Sequence, residues 1–467
     1  MVAAGLGAVT PARREFTMTP SATHDATAPL ASEAWRLAIP MVVLGWIRAS
    51  WLAVDAWWVA GLGETALTGL AAAAFAWWMV DQLAELAGLG TQSRIAQAIG
   101  AGTPEAVDRI VAEGLVVATL LGLCVTGTAE LWAPLYVRAM GLTDDVARAA
   151  DAVLHGLAWL APVAAVSSVV QAVFRGIGDT RAALSLSAAV LVVNAVLSPL
   201  VLFNAGFGVG GAPLATALAV AAGVVASGGV LRQRGWLVTW SAPTLAGAAR
   251  TLGIGGPVFL SGIGFSLVYV LLGRLIAAQG DVHLAALGVG HRLESYAYLA
   301  CTGFSVASAT LVGRATGAGD RLAARRAGLA IGRLSGRVML AAGALAWLLA
   351  PTIFAAFSDD PALVASGTAY LRAQAAVWVF MAWEITYEGS FAGLGDTFPA
   401  SVTVTIGTLA RLPLAVWVTT TTPLGATGIW LVVAATTATK GALLRGWFLA
   451  RTVVPRDEIQ HTEATSR

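Results

Sequence analysis

Four polar side chains sit in apolar stretches of this 467-residue chain: Asp55, Asn194, Ser198 and Thr216. An ionisable group inside a membrane span costs a few kcal/mol, so each such residue is a functional candidate whose partner must be sought. Asn194 and Ser198 are four apart and share one helix face. Asp55 lies eight residues before the turn at Gly63, Ser198 shortly before the connector near 204–210, and Thr216 just after it. At about 1.5 Å per residue, all four fall at similar depth, in the outer half of the membrane if the termini are cytoplasmic. If their helices adjoin, one carboxylate, two hydroxyls and an amide make a site for one proton or one sodium ion. The plainer reading is that Asp55 bonds a neighbouring helix and that the hydroxyls are ordinary helix–helix contacts.

A second group gathers later in the chain. It comprises His291, Arg292 and Glu294, then Glu384 and Glu388 four apart, then Arg411. Arg292 and Arg411 need counter-charges in hydrocarbon, and the three glutamates can supply them with one carboxylate over. This is either a paired network or a cavity lined with acid for a cationic substrate. Lys440, the only lysine, is read as a mark of base composition rather than of chemistry. Arg48 and Asp81 are expected to form a structural pair. In a hairpin folded about Gly63–Glu64 they reach one depth, with Glu85 placed to join them. The cysteines Cys124 and Cys301 are expected to be small buried side chains. Asp359-Asp360, followed at once by Pro361, lacks the neighbours a metal site requires. No phosphate-binding glycine loop with lysine is present, so ATP is not the expected energy source. Neither a cofactor nor a metal is expected, apart from Na⁺ at Asp55.

The elements that must position these residues are membrane spans. With 57% hydrophobic residues, 12% charged residues and a mean hydropathy of +0.76, the chain is too apolar for a soluble globule. It is also a duplication. Phe174-Arg-Gly-Ile-Gly-Asp-Thr180 is repeated as Phe391-Ala-Gly-Leu-Gly-Asp-Thr397, a register shift of 217. The same register puts Pro40 on Pro257, Gly63 on Gly280, Gly100-Ala-Gly102 on Gly317-Ala-Gly319 and Arg109 on Arg326, so both halves share one order of elements. Asp55, Asn194, Ser198 and Thr216 fall on Leu272, Arg411, Ala415 and Val433, and the cation site is therefore expected once. Asp179 and Asp396 of the repeated motif suit capping of the helix that follows.

Twelve apolar runs, six per half, are expected to span, giving parallel repeats about an axis along the membrane normal. The arginines concentrate in connectors after even-numbered spans, which places both termini in the cytoplasm. The expected divisions are a disordered tail over 1–32, a six-helix lobe over 33–231, a linker over 232–250, a second lobe over 251–450 and a tail over 451–467. Met18 could itself be a start.

The chain resembles the multidrug and toxic compound extrusion (MATE) transporters. The likeness rests on the run at 174–180, Asp55 after Pro40, Asn194, Gly211-Ala-Pro-Leu-Ala-Thr216, His291-Arg292 and Leu311-Val-Gly-Arg-Ala-Thr-Gly-Ala-Gly319, and it extends over all twelve spans. The resemblance implies an all-α polytopic protein with two six-helix lobes in a V, a central cavity and alternating access. It also implies export of organic, often cationic, compounds across the plasma (inner) membrane in exchange for protons or sodium. It puts a cation site on Asp55, Asn194 and Thr216. Many prokaryotic members with that site have a second aspartate where Ser198 stands, and one carboxylate suits a proton better than Na⁺. The apolar surroundings of Phe265 in span 7 place the chain nearer the DinF-like branch than the NorM-like one. The expected partners are small organic substrates, the coupling ion and the bilayer, with no nucleic acid, for a monomer that is not an enzyme. The alternatives are a lipid-linked precursor flippase of the same superfamily and a membrane-embedded enzyme.

Overall fold

The computed structural model describes residues 27–236 and 241–453, and among them there is no β-strand. The first lobe consists of α1 (Thr27–Ala60), α2 (Glu64–Gly100), α3 (Ala106–Gly127) continued by α4 (Ala129–Met140), α5 (Asp144–Ile177), α6 (Thr180–Pro199) and α7 (Gly211–Gln233). The second consists of α8 (Leu245–Ala277), α9 (Asp281–Gly317), α10 (Arg321–Ala355), α11 (Pro361–Ala375) followed by α12 (Trp378–Leu394), α13 (Phe398–Leu409) followed by α14 (Arg411–Thr421), and α15 (Gly425–Arg451). The two sets correspond pass by pass at the offset of 217, although helices break at different places, α3 and α4 facing the single α10 and the single α5 facing α11 and α12, and the described residues make twelve passes.

Ten of these passes are long and apolar enough to cross a membrane on those grounds alone. The other two have visible reasons for falling short. α2 carries Asp81, Gln82, Glu85, Thr91, Gln92, Ser93 and Arg94, which it can hold because it is packed among helices of both lobes. The pass made by α11 and α12 is broken at Ala376–Val377 into pieces of 15 and 17 residues.

Several boundaries differ from those expected. Residues 27–32, assigned to the tail, already belong to α1; α7 runs to Gln233, and α8 begins at Leu245 inside the expected linker. Residues 1–26, including Met18, and 454–467 lie outside the described residues. Cys301 is buried, but Cys124 is exposed on α3, where the surrounding apolar sequence faces outward rather than inward.

The Gly-Asp-Thr turns behave alike in backbone and differ in capping. Gly178 and Gly395 end α5 and α12 at φ 79° and 80°. This left-handed conformation is open to glycine at little cost. Asp179 caps α6 by accepting from Ala182 N at 3.2 Å. Asp396 makes no such cap, although both aspartates pair with counterpart arginines, Asp179 with Arg234 at 2.7 Å and Asp396 with Arg451 at 2.8 Å.

Each lobe has its own core, around Val59, Leu70, Leu154 and Leu157 in the first and Leu272, Cys301, Tyr370 and Trp430 in the second. The lobes meet in the half nearer the termini, through a seam that repeats itself. Ser93 Oγ donates to Ala392 O, and its counterpart Thr310 Oγ1 donates to Arg175 O, the counterpart carbonyl. Gln97 Nε2 donates to Gly393 O at 2.9 Å, while its counterpart Arg314 donates to Ile177 O at 2.8 Å. A Cβ on Gly100 would stand 1.9 Å from Arg314 O, and one on Gly317 would stand 1.9 Å from Gln97 O. Only glycine permits α2 and α9 to cross this closely, and the requirement is met twice. The clamp on α8 is not repeated: Arg94 pairs with Glu113 at 2.6 Å and donates to Gly247 O, while Glu113 accepts from Thr244 N and Oγ1 where α8 begins.

Candidate functional site

α1, α6 and α7 bring Asp55, Asn194, Ser198 and Thr216 together, all buried. Ser198 Oγ lies 3.4 Å from Asp55 Oδ1, and Thr216 Oγ1 lies 3.4 Å from Asp55 Oδ2. Asn194 Nδ2 donates to Thr216 Oγ1 at 3.0 Å. These are thin provisions for a carboxylate. Both hydroxyls are at the long end of hydrogen bonding. The hydroxyl of Thr216 has a single proton to give, and its oxygen is also within 3.1 Å of Ala212 O. No cation of the chain pairs with Asp55 among the described residues. Asn194 Oδ1 is buried without a donor. A buried acid with weak donors, beside an acceptor with none, is a place where one more positive centre fits.

The corresponding region of the second lobe is filled with apolar side chains. Leu272, Ala415 and Val433 are all buried in its core. Arg411, the counterpart of Asn194, is 2% exposed, but its partners are not the glutamates expected from the sequence. It donates to Thr436 Oγ1 at 3.0 Å, Thr437 Oγ1 at 2.9 Å and Tyr269 OH at 3.2 Å, and Phe265 lies under its guanidinium at 5.9 Å. Neutral oxygens and ring faces can hold a guanidinium because its charge is spread over a plane and weakly hydrated.

The expected network is therefore corrected in its pairing. Arg292 is exposed and forms no ion pair among the described residues. Glu294 accepts from Tyr370 OH at 2.5 Å and faces His291 at 3.8 Å, with Tyr269 beside that ring. Glu384 pairs with Lys440 at 2.6 Å, and the ammonium also reaches Thr408 Oγ1 at 3.3 Å. Glu388, one turn on from Glu384, is half-buried. Lys440 is thus a partner of the buried acid and more than a mark of base composition. Its signal was its position: a lone lysine in an apolar span needs a carboxylate as much as any arginine does. The repeat explains how it fits. In the first lobe Val190 packs against Gly223; at the counterpart positions Gly407 makes room for the stem of Lys440.

Arg48 reaches both Asp81 and Glu85, the latter at 2.9 Å, so the expected pair is a triad. A fourth member was not foreseen. Arg175, read as a connector residue of the repeated motif, is buried and donates to Glu85 at 3.1 Å. Asp360 caps α11 through Ala362 N at 2.9 Å. Among the described residues no cluster of His, Cys, Asp and Glu could hold a metal ion.

Comparison with known proteins agrees with this architecture. A "Probable multidrug resistance protein NorM" of Deinococcus radiodurans is 30% identical over 94% of this chain and 99% of its own length. A protein of the same name from Thermotoga maritima is 26% identical over 85% of this chain and 88% of its own. Among solved structures, MATE in the straight conformation superposes with a TM-score of 0.83 at 23% identity, covering 92% of this chain and 98% of the other. MATE in the bent conformation gives 0.84 at 22% identity, covering 95% and 99%. The model of the MatE family matches twice, over residues 40–200 and 257–417, two segments separated by the same offset of 217. The chain belongs to the MatE family.

Proposed function

We propose that this protein is a secondary antiporter of the plasma membrane. It exports organic, cationic or amphipathic compounds in exchange for protons, with Asp55 as the carboxylate that takes up the coupling ion. The relatives' names support multidrug efflux. The observation that carries the coupling assignment is the isolation of Asp55. It is 1% exposed, has only neutral partners and is replaced by core leucine in the other lobe. A charge so placed is costly, and a proton removes that cost. Asn194, Ser198 and Thr216 hold the carboxyl group in place. Exchange then requires that the site face each side in turn. The seam closes the half nearer the termini, which with cytoplasmic termini is an outward-open arrangement. The one-sided arginines support that orientation, with both termini in the cytoplasm. Both lobes lie in one chain, so a monomer suffices.

A second reading, sodium coupling, is favoured by one atom. The donorless Asn194 Oδ1 would complete an oxygen set with Asp55, Ser198 and Thr216, the ligand type a hard cation takes. Glu384, Glu388 and Lys440 together carry one more negative than positive group, which supports a cationic cargo over the pyrophosphate of a lipid-linked precursor. The apolar span around Phe265, stacked on Tyr269, supports the DinF-like placement. The relatives' names favour transport over the enzyme reading.

The test is uptake of a fluorescent organic cation into inside-out vesicles, with a pH gradient and a sodium gradient imposed separately, for the wild type and Asp55→Asn. Uptake driven by pH alone and lost in the variant is expected. Uptake driven only by sodium transfers the site to the second reading. A variant that works at the parental rate removes Asp55 from the mechanism.

A further inference from the structure

Arg326, Arg333 and Arg337 of α10 are all exposed. At 3.6 residues per turn they fall within about 40° of one another, so they form one stripe. The glycines beside the deeper two face inward: Gly332 lies against Tyr387 and Gly336 against Trp383, both of α12. Trp383 Nε1 donates to Gly332 O at 3.1 Å, which fixes its ring between α10 and α15. From the other side Arg445 of α15 lays its guanidinium 4.6 Å from the centre of that ring. The Tyr387 hydroxyl lies in the field of both Arg333 and Arg445. α10 and α15 converge at one end, where Arg325 donates to Leu449 O at 2.9 Å and Thr452 O at 3.1 Å, and where Gly328 meets Phe448. The result is a groove with an aromatic floor, arginines on both walls and a closed end. No ion pair joins Arg333, Arg337 or Arg445 to a carboxylate among the described residues.

The depth of the groove identifies its surroundings. Beyond Arg337 the exposed face of α10 turns apolar, with Leu340, Leu345 and Leu348 all more than half exposed. α10 continues from Arg337 to its end at Ala355. At roughly 1.5 Å per residue that stretch comes close to the thickness of a hydrocarbon layer, about 30 Å. The guanidiniums therefore stand where headgroup phosphates stand, in the leaflet on the side of the termini. A general need for basic residues on that side does not account for them. The first-lobe counterparts of Arg333, Arg337, Arg445 and Trp383 are Val116, Leu120, Gly228 and Val166.

We propose that the groove between α10 and α15 is a binding site for the phosphate of an anionic phospholipid, gripped by Arg333, Arg337 and Arg445 with its glycerol end against Trp383. A free phosphate monoester offers the same chemistry, but only a lipid also has acyl chains to lie along Leu340 and Leu345. The test is native mass spectrometry of the full-length protein in detergent with equal amounts of phosphatidylglycerol and phosphatidylcholine. Wild type is compared with Arg333→Gln/Arg337→Gln and with Arg333→Lys/Arg337→Lys. Wild type should retain phosphatidylglycerol selectively. The glutamine pair should bind it about 30-fold more weakly, at ~1 kcal/mol per basic residue near an anionic surface, and the lysine pair should keep most of the selectivity. Equal retention of the two lipids by wild type, or unchanged selectivity in the glutamine pair, overturns the proposal. Displacement of the lipid by glycerol phosphate at comparable concentration also overturns it, by assigning the groove to a soluble phosphate. The lysine pair separates loss of charge from loss of fold.

Discussion

Replacing Lys440 with methionine removes an ammonium but almost none of the volume that Gly407 accommodates. It leaves Glu384 buried without its partner at 2.6 Å, and Glu388 one turn away adds to the same uncompensated charge. Breaking one side of a buried ion pair costs roughly 3–5 kcal/mol, whereas replacing both sides with neutral groups of similar shape is often close to neutral. Glu384→Gln should be the milder single change, at about 1–3 kcal/mol, because Lys440 keeps Thr408 and can turn towards Glu388. The double variant should then be more stable than Lys440→Met alone, so the two changes are strongly non-additive. The repeat supplies a sharper form. Ser167, Val190 and Gly223 occupy the counterpart positions in the first lobe, so Glu384→Ser/Gly407→Val/Lys440→Gly copies a packing that this chain already uses. Melting of the purified proteins in detergent, followed by intrinsic fluorescence, should rank Lys440→Met lowest, with the double and triple variants near wild type. A Lys440→Met protein that melts with wild type, or a double variant that loses the sum of the singles, would refute the account of this pair.

The remaining predictions concern the seam and the first-lobe site. Asp55→Asn removes charge without volume, so it should melt close to wild type while coupled uptake falls to background in the vesicle assay. Gly100→Ala and Gly317→Ala each put a methyl group 1.9 Å from a carbonyl of the other lobe. Either should slow export at least about tenfold, corresponding to ~1.4 kcal/mol, and should raise labelling of a cysteine placed at Thr251 by a membrane-impermeant reagent from the side of the termini. Unchanged labelling would show that the seam is not the barrier. Glu113→Ala strands Arg94 and both Thr244 donors, so a loss of about 3 kcal/mol in stability is expected. Arg94→Met/Glu113→Leu should recover much of it in the same melting assay.

The repeat was legible because Pro40, Gly63 and the Gly-Asp-Thr turns recur without a gap, and a register needs no tertiary knowledge. The shared depth of Asp55, Ser198 and Thr216 could be anticipated, since connectors mark the membrane faces and a helix rises by a fixed step, but that their helices adjoin could not. Depth does not give azimuth. Nothing in the sequence says which way around α14 the Arg411 side chain points. The threonines of α15 that receive it look like any helix-contact hydroxyls, so glutamates were the natural but mistaken partners. Gly100 and Gly317 were visible as landmarks of the turns that follow α2 and α9. Their closeness to the carbonyls of Arg314 and Gln97 depends on two lobes meeting, which no local pattern encodes.

The seam has a mechanical consequence. Ser93 and Thr310 make the same bond from opposite sides, so a rocking motion about the axis relating the lobes would lengthen both by the same amount; Gln97 and Arg314 also each reach into the other lobe, to carbonyls one residue out of register. At this matched bond the joint has no weaker flank, and there the lobes would part as a unit rather than peel open. A joint matched in this way would leave water and ions no partly opened edge. Arg94 with Glu113 and Thr244, where the second lobe begins, has no counterpart at the 217 offset, and neither do Trp46 Nε1 to Tyr296 O and Gln92 Nε2 to Val306 O; these are places where the two halves can differ in how firmly they let go.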